Sequence, residues 1–200
     1  MNYLAHILVS GDLEDHQVGG FLGDFVKGPL TGAWPLAVEQ GIWLHRKLDA
    51  WSDQDSTFKS IAEKLGAKHR RIAPIIIDLA IDHFLCLQWS QFHDQTLESF
   101  TQDFYQNLSR FELILPKSAQ IWLQHAQNTD LLAGYGNLPR LGRIVDSMEM
   151  RRRRPLGLDQ AFVAFLQHYD EIAEGFDALF PILQQRARQH LNELPEHFKG

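Results

Sequence analysis

The chain has 200 residues, a formal net charge of −6, and 44% hydrophobic against 22% charged residues, the balance of one globular domain able to bury a core. An acidic chain is a poor general binder of nucleic acid, and a single cysteine, Cys86, leaves no internal disulfide and fits a reducing cytoplasm. The start lacks a basic stretch followed by a long apolar core, so it does not read as a signal peptide. The most apolar stretch, around 72–89, is broken by Asp78, Asp82 and His83, which argues against a membrane span.

Residues 2–10 set Tyr3, Leu4, Ile7 and Leu8 at helical spacing, with His6 among them. A histidine in such company is more often a core residue than a ligand. Over 15–28, Gly19, Gly20 and Gly23 would each weaken an isolated helix by about 1 kcal/mol relative to alanine. Small residues on one face also let a neighbouring helix or a ligand come close. Asp24 follows, flanked by Leu22, Phe25 and Val26, and is expected to be partly buried. No strand precedes these glycines and their spacing is not G-x-G-x-x-G, so they are not a nucleotide-binding loop. Residues 27–35 form a turn-rich connection.

The next helix runs from about 36 to 52, with Leu44, Leu48 and Trp51 on its apolar stripe. His45 and Asp49 are four apart, which stacks them on one face beside that stripe. An uncompensated carboxylate there is costly, so Asp49 needs a partner, and a metal ion is one candidate. Residues 53–56 read as an exit and a cap. Residues 68–93 read as one long helix, apolar on nearly every side and therefore central. Asp78 and Asp82 again lie four apart, next to His83. Two carboxylates on one apolar face repel and lose hydration, so either a cation between them or salt bridges to Arg70, Arg71 or Arg46 must compensate.

The rest reads as helices over 97–115, 118–126, 138–150, 158–175 and 176–194, with Pro116, Pro139, Pro155 and Pro181 near the boundaries. Strand-period alternation is scarce, and 195–200 reads as a frayed tail. The expectation is an all-α, single-domain helical bundle over 1–200. Residues 1–95 form its metal-site half, and 96–194 form a scaffold and partner-docking half. Arg151, Arg152, Arg153 and Arg154 form an unbroken basic run. Such a patch on an acidic chain suits an anionic partner, and the plainer reading is a solvated helix end.

His6, Asp24, His45, Asp49, Asp78, Asp82 and His83 all fall near apolar residues on helices. Oxygen and imidazole donors without thiolates favour Mn²⁺ or Mg²⁺ over structural zinc, and helical bundles build such sites from inward-facing side chains. A metal held this way activates water and neutralises phosphoryl charge, so phosphoester hydrolysis is the reaction class implied. Serine elbow, P-loop and H-E-x-x-H signatures are absent.

Four motifs in order carry a resemblance: N-Y-L-A-H at 2–6, G-G-F-L-G-D-F-V-K-G at 19–28, G-I-W-L-H-R-K-L-D-A-W-S-D at 41–53 and R-R-I-A-P-I-I-I-D-L-A-I-D-H-F-L at 70–85. Together with M-R-R-R-R at 150–154, they resemble the bacterial acyl-carrier-protein phosphodiesterases, regarded as all-helical, divergent relatives of HD-type metal phosphohydrolases. The pattern departs at Tyr3, Gly20 and Pro74, none a candidate ligand, and the adjacent His-Asp doublet occurs only as His93-Asp94. The resemblance implies Mn²⁺-dependent hydrolysis of the phosphodiester joining 4′-phosphopantetheine to the serine of holo acyl carrier protein.

The candidate metal ligands are then Asp24, His45, Asp49, Asp78 and Asp82. His6 or His83 would protonate the leaving serine, Arg46 would balance phosphate charge, and Arg151–Arg154 would dock the acidic carrier protein. Water is expected to attack phosphorus directly, with no covalent enzyme intermediate. The competing readings are a metal phosphohydrolase acting on a nucleotide or other small phosphoester, and a non-catalytic helical module whose buried acids are salt-bridged.

Overall fold

The computed structural model describes residues 1–195 and Phe198. Ten α-helices account for its regular structure, and no strand occurs among the described residues: α1 (Tyr3–Val9), α2 (Glu14–Leu22), α3 (Leu36–Ser52), α4 (Ser56–Glu63), α5 (Ala73–Leu87), α6 (Leu97–Ser109), α7 (Lys117–Thr129), α8 (Leu138–Met150), α9 (Leu158–Gln167) and α10 (Tyr169–Asn192). None of them is long and apolar enough to cross a membrane.

α5 is the central rod, packed by α1, α4, α8, α9 and α10, with Ile76, Ile77, Ala80, Ile81, Phe84 and Leu85 all buried. Its extent is shorter than the expected 68–93. One-turn 3₁₀ segments, Ala67–His69 and Trp89–Gln91, flank it. Gly66 ahead of them has a φ of 84°, and a proline occupies the first turn of α5 itself, so the apolar run outlasts the helix at both ends. The expected break between 175 and 176 lies instead at His168, and α10 runs on through Pro181. Residues 196, 197, 199 and 200 of the expected frayed tail lie outside the described residues. Phe198 is buried and its carbonyl accepts a hydrogen bond from Gln40 Nε2 at 2.9 Å, so this residue is held against α3.

α2 lies closely along α3, and α1 packs on α2. A Cβ on Gly19 would fall 2.2 Å from the Val38 carbonyl oxygen, and one on Gly41 would fall 2.3 Å from that of His16. Backbone meets backbone there, so only glycine fits on either side. The stretch after α2 is tied back to α3. Glu39 Oε1 accepts from the Gly32 and Trp34 amides at 2.8 and 3.4 Å, and the Arg46 guanidinium donates to the Gly28 and Val26 carbonyls at 2.8 and 2.7 Å. Asp24 sits just beyond the end of α2 with its side chain 45% exposed, more open than its apolar neighbours suggested.

Candidate metal centre and its groove

Three elements converge on one small cluster. On α3, the His45 Nδ1 lies 2.7 Å from the Gly20 carbonyl oxygen. A carbonyl only accepts, so Nδ1 carries the proton and the lone pair of the neutral ring sits on Nε2. That Nε2 is 3.1 Å from Asp49 Oδ2, one turn further along α3, and 3.7 Å from Asp24 Oδ1. From α1, His6 brings its Nε2 to 3.0 Å from Asp49 Oδ1. The two imidazoles stack with centroids 3.7 Å apart and planes 20° from parallel. Gly23 makes room for this: a Cβ there would lie 2.1 Å from His45 Cγ.

Burial pushes His6 down to a pKa of about 3, the neighbouring His45 adds to the shift, and the hydrogen bond to Asp49 opposes it. His6 is therefore neutral at ordinary pH, the state in which imidazole ligates metals. Burial alone would raise the Asp49 carboxyl. Hydrogen bonds from His45 and His6, with the Met1 amino group 3.3 Å away, instead hold it well below the usual carboxylate range. His6, His45 and Asp49 thus offer two nitrogens and a carboxylate oxygen within 4.8 Å of one another.

This donor set fits a divalent cation of the Mn²⁺ or Mg²⁺ type. His45 turns its Nε2 toward an acceptor oxygen 3.1 Å away, a contact that either a proton on Nε2 or a cation between the two atoms satisfies. Its other nitrogen bonds a backbone carbonyl, the arrangement that orients ligating histidines.

The remaining candidates are not all brought here. Asp78 lies beside the cluster, its Oδ1 3.1 Å from the Met1 amino nitrogen. Asp82 is fully buried and faces α1: its two oxygens accept from the Leu4 and Ala5 amides, each at 2.9 Å. Both oxygens are committed to the open first turn of α1, and neither Asp78 nor Asp82 pairs with Arg46, Arg70 or Arg71. Burial pushes the Asp82 carboxyl up to about 7 against the pull of those two amides. His83 points elsewhere. Its Nδ1–H donates to the Tyr135 carbonyl at 2.8 Å, and its Nε2 accepts from the Tyr169 hydroxyl at 2.7 Å. Arg46 spends its guanidinium on the two carbonyls of the loop after α2. His93 packs elsewhere, its ring tilted against Trp89 at 5.5 Å and edge-on to Phe100 at 4.9 Å.

Asp24, Asp49 and Asp78 line a groove of about 1330 Å³, whose walls include Trp122 and His125 of α7 and Arg140, Arg143 and Ile144 of α8. Of the basic run, Arg151 lines this groove, whereas Arg152, Arg153 and Arg154 are exposed outside it. A smaller hollow of about 270 Å³, lined by Gly23, Lys27, Gly28, His45 and Arg46, reaches the same Asp24 and Asp49. His125, Arg140 and Arg143 belong to the half of the chain that reads as scaffold. Arg140 and Arg143 stand just upstream of the basic run and belong to the same local excess of positive charge in the sequence, whereas His125, on α7, carried no such signal.

Fold and site together describe an all-helical protein with an imidazole–carboxylate centre opening on a wide groove. The family described as acyl carrier protein phosphodiesterase matches residues 1–183. Among its relatives, the acyl carrier protein phosphodiesterase of Serratia proteamaculans is 31% identical over 194 residues, covering 94% of this chain and 98% of the relative. Those of Yersinia pestis and Escherichia coli O6:H1 are 28% and 29% identical, also covering 94% of this chain and 98% and 97% of the relatives. No solved structure matches. The chain belongs to the acyl carrier protein phosphodiesterase family.

Proposed function

We propose that this member of the family hydrolyses the phosphodiester between 4′-phosphopantetheine and the serine of holo acyl carrier protein, leaving the apo protein. We further propose that it uses a divalent cation, Mn²⁺ or Mg²⁺, held by His6, His45 and Asp49 with Asp24 beside them. The observation that carries the reading is the convergence of His6, His45 and Asp49, whose donor atoms lie within 4.8 Å of one another, with His45 Nε2 turned toward Asp49 at 3.1 Å by the bond of Nδ1 to the Gly20 carbonyl. When bound, the cation supplies charge that stabilises the phosphoryl oxygens and makes water a better nucleophile near neutral pH.

The chain's own residues do the rest. Asp49 is gripped by both imidazoles, so its two oxygens are held in place before substrate arrives. Asp24 and Asp78 add two further carboxyl groups to the lining of the groove. Two serines near the cluster are already committed: Ser10 Oγ donates to the His6 carbonyl at 2.8 Å and Ser52 Oγ to that of Asp49 at 3.0 Å. Cys86 lies away from the groove with its Sγ 3.5 Å from the Leu132 carbonyl. This supports direct attack of water on phosphorus rather than a covalent enzyme intermediate. With His83 bonded to two tyrosines, Arg46 to the loop and His6 neutral within the cluster, none of the three stands free to act as expected, and protonation of the leaving serine falls to water.

The groove also bears on the substrate. Sites for small molecules usually span roughly 300–1,000 Å³, and this one exceeds that range, which favours a macromolecular substrate over a free nucleotide. The test is incubation of holo acyl carrier protein with the wild-type chain and Mn²⁺, with mass spectrometry following loss of the prosthetic group. Wild type should convert it; His45→Gln, or wild type after chelation, should not. Conversion by the His45→Gln protein at the wild-type rate would refute the proposed centre.

A further inference from the structure

α8 carries a surface pattern that the hydrolytic centre does not use. Arg140, Arg143 and Arg151 line the groove, with Ile144 and Met148 between them. Positions 140, 143/144, 147/148 and 151 follow three- and four-residue steps, so they form one stripe along the helix. The stripe is cationic on a chain whose net charge is −6, and among the described residues none of the three arginines makes an ion pair. Arg140 donates to the Thr129 carbonyl and Arg151 to the Ser147 hydroxyl, at 2.6 and 2.7 Å, both neutral acceptors. Arg143 is exposed. Across the groove, α7 adds Ile121, 59% exposed.

Cationic and apolar residues interleaved at helical spacing complement a second helix with acidic and apolar residues at the same spacing, the helix-in-groove mode of recognition. We propose that the α8 wall is the docking surface for an acidic amphipathic helix of the carrier-protein substrate. Arg140, Arg143 and Arg151 face its carboxylates, and Ile144 and Met148 face its apolar side. This rests on the carrier-protein reading above. It moves the docking surface from the run Arg151–Arg154 to a stripe of which only Arg151 is a member, and it brings the partner to the groove that also reaches Asp49.

The test separates docking from hydrolysis. Binding of labelled apo acyl carrier protein, which carries no scissile bond, is measured by fluorescence anisotropy at low and high salt. Arg143→Glu should weaken binding by about tenfold or more at low salt, with the loss shrinking as salt screens the contact. Arg188→Glu, the same charge change on exposed α10, should leave it within about twofold. Equal weakening by both variants would reduce the effect to net charge and overturn the proposal, as would unchanged binding by Arg143→Glu or no binding by wild type. Circular dichroism of Arg143→Glu guards against misfolding, and a carrier protein with an acidic surface residue changed to lysine should recover part of the loss. If wild type binds the apo protein through Arg143 yet does not cleave the holo protein, the hydrolytic reading fails while the docking surface stands.

Discussion

Asp49 and Asp82 are both carboxylates among apolar residues, and their surroundings give them opposite tasks. Asp49 is met by two imidazoles and lines the groove. Asp82 is sealed from solvent and closes the first turn of α1, whose own N-cap residue, Asn2, makes no side-chain cap. Removing Asp82 leaves two buried amides without acceptors, each costing about 1–3 kcal/mol. Asp82→Ala should therefore lower the unfolding free energy in urea by about 2 kcal/mol or more, while the folded protein still takes up Mn²⁺ at saturation. Loss of metal stoichiometry with unchanged stability would make Asp82 a ligand instead. Sequence spacing brought out His45 and Asp49 because both belong to one helix and one face. The same spacing also drew Asp78 and Asp82 together, but the partners of Asp82 are backbone groups far along the chain, which periodicity does not see. His6 reads as a core histidine from its neighbours and as a proton donor from the family resemblance; it is fully buried, and only the fold shows that its ring meets Asp49.

Helices α2 and α3 owe their closeness to glycines that do two distinct jobs. At Gly41 the neighbour is the His16 carbonyl, which has nowhere to go. Gly41→Ala should part the two helices and destabilise the protein by about 1–3 kcal/mol, the usual range for overpacking. At Gly23 the neighbour is the His45 ring. Gly23→Ala should displace that ring and abolish Mn²⁺ uptake, read by calorimetric titration, with a smaller change in the urea midpoint. If Gly23→Ala binds metal as wild type does, His45 is not a ligand. The glycine pattern announced a close approach without saying to what. Helix boundaries were legible where caps and breakers agree, as at α3 and α8. They were not at α5, where apolar residues continue through 3₁₀ turns, nor at α10, whose interior proline resembles a boundary.

Across the whole molecule, the centre draws on α1, the turn after α2, and α3, so a cation bound there adds to the hydrogen bonds that already join those segments. A ligand that binds only the folded state adds about 2.7 kcal/mol at a hundred times its Kd. Thermal unfolding of wild type should therefore shift upward with added Mn²⁺ and return after chelation, while His45→Gln should show neither shift. An equal shift in both proteins would locate the binding elsewhere. The all-α class and the single bundle followed from the 3.6-residue pattern alone. The groove did not, because its two sides come from opposite halves of the chain and no local pattern reports that they face each other.

The clasp between Asp82 and α1 also bears on how the protein is made. The Leu4 amide and its acceptor are 78 positions apart. A nascent chain that has so far released α1, α2 and α3 holds both imidazoles of the centre but lacks the carboxylate that seats the helix bearing His6. Vectorial synthesis therefore delivers the donors first and fixes their geometry only when α5 emerges, which couples assembly of the centre to formation of the core rather than to the local folding of its own helices.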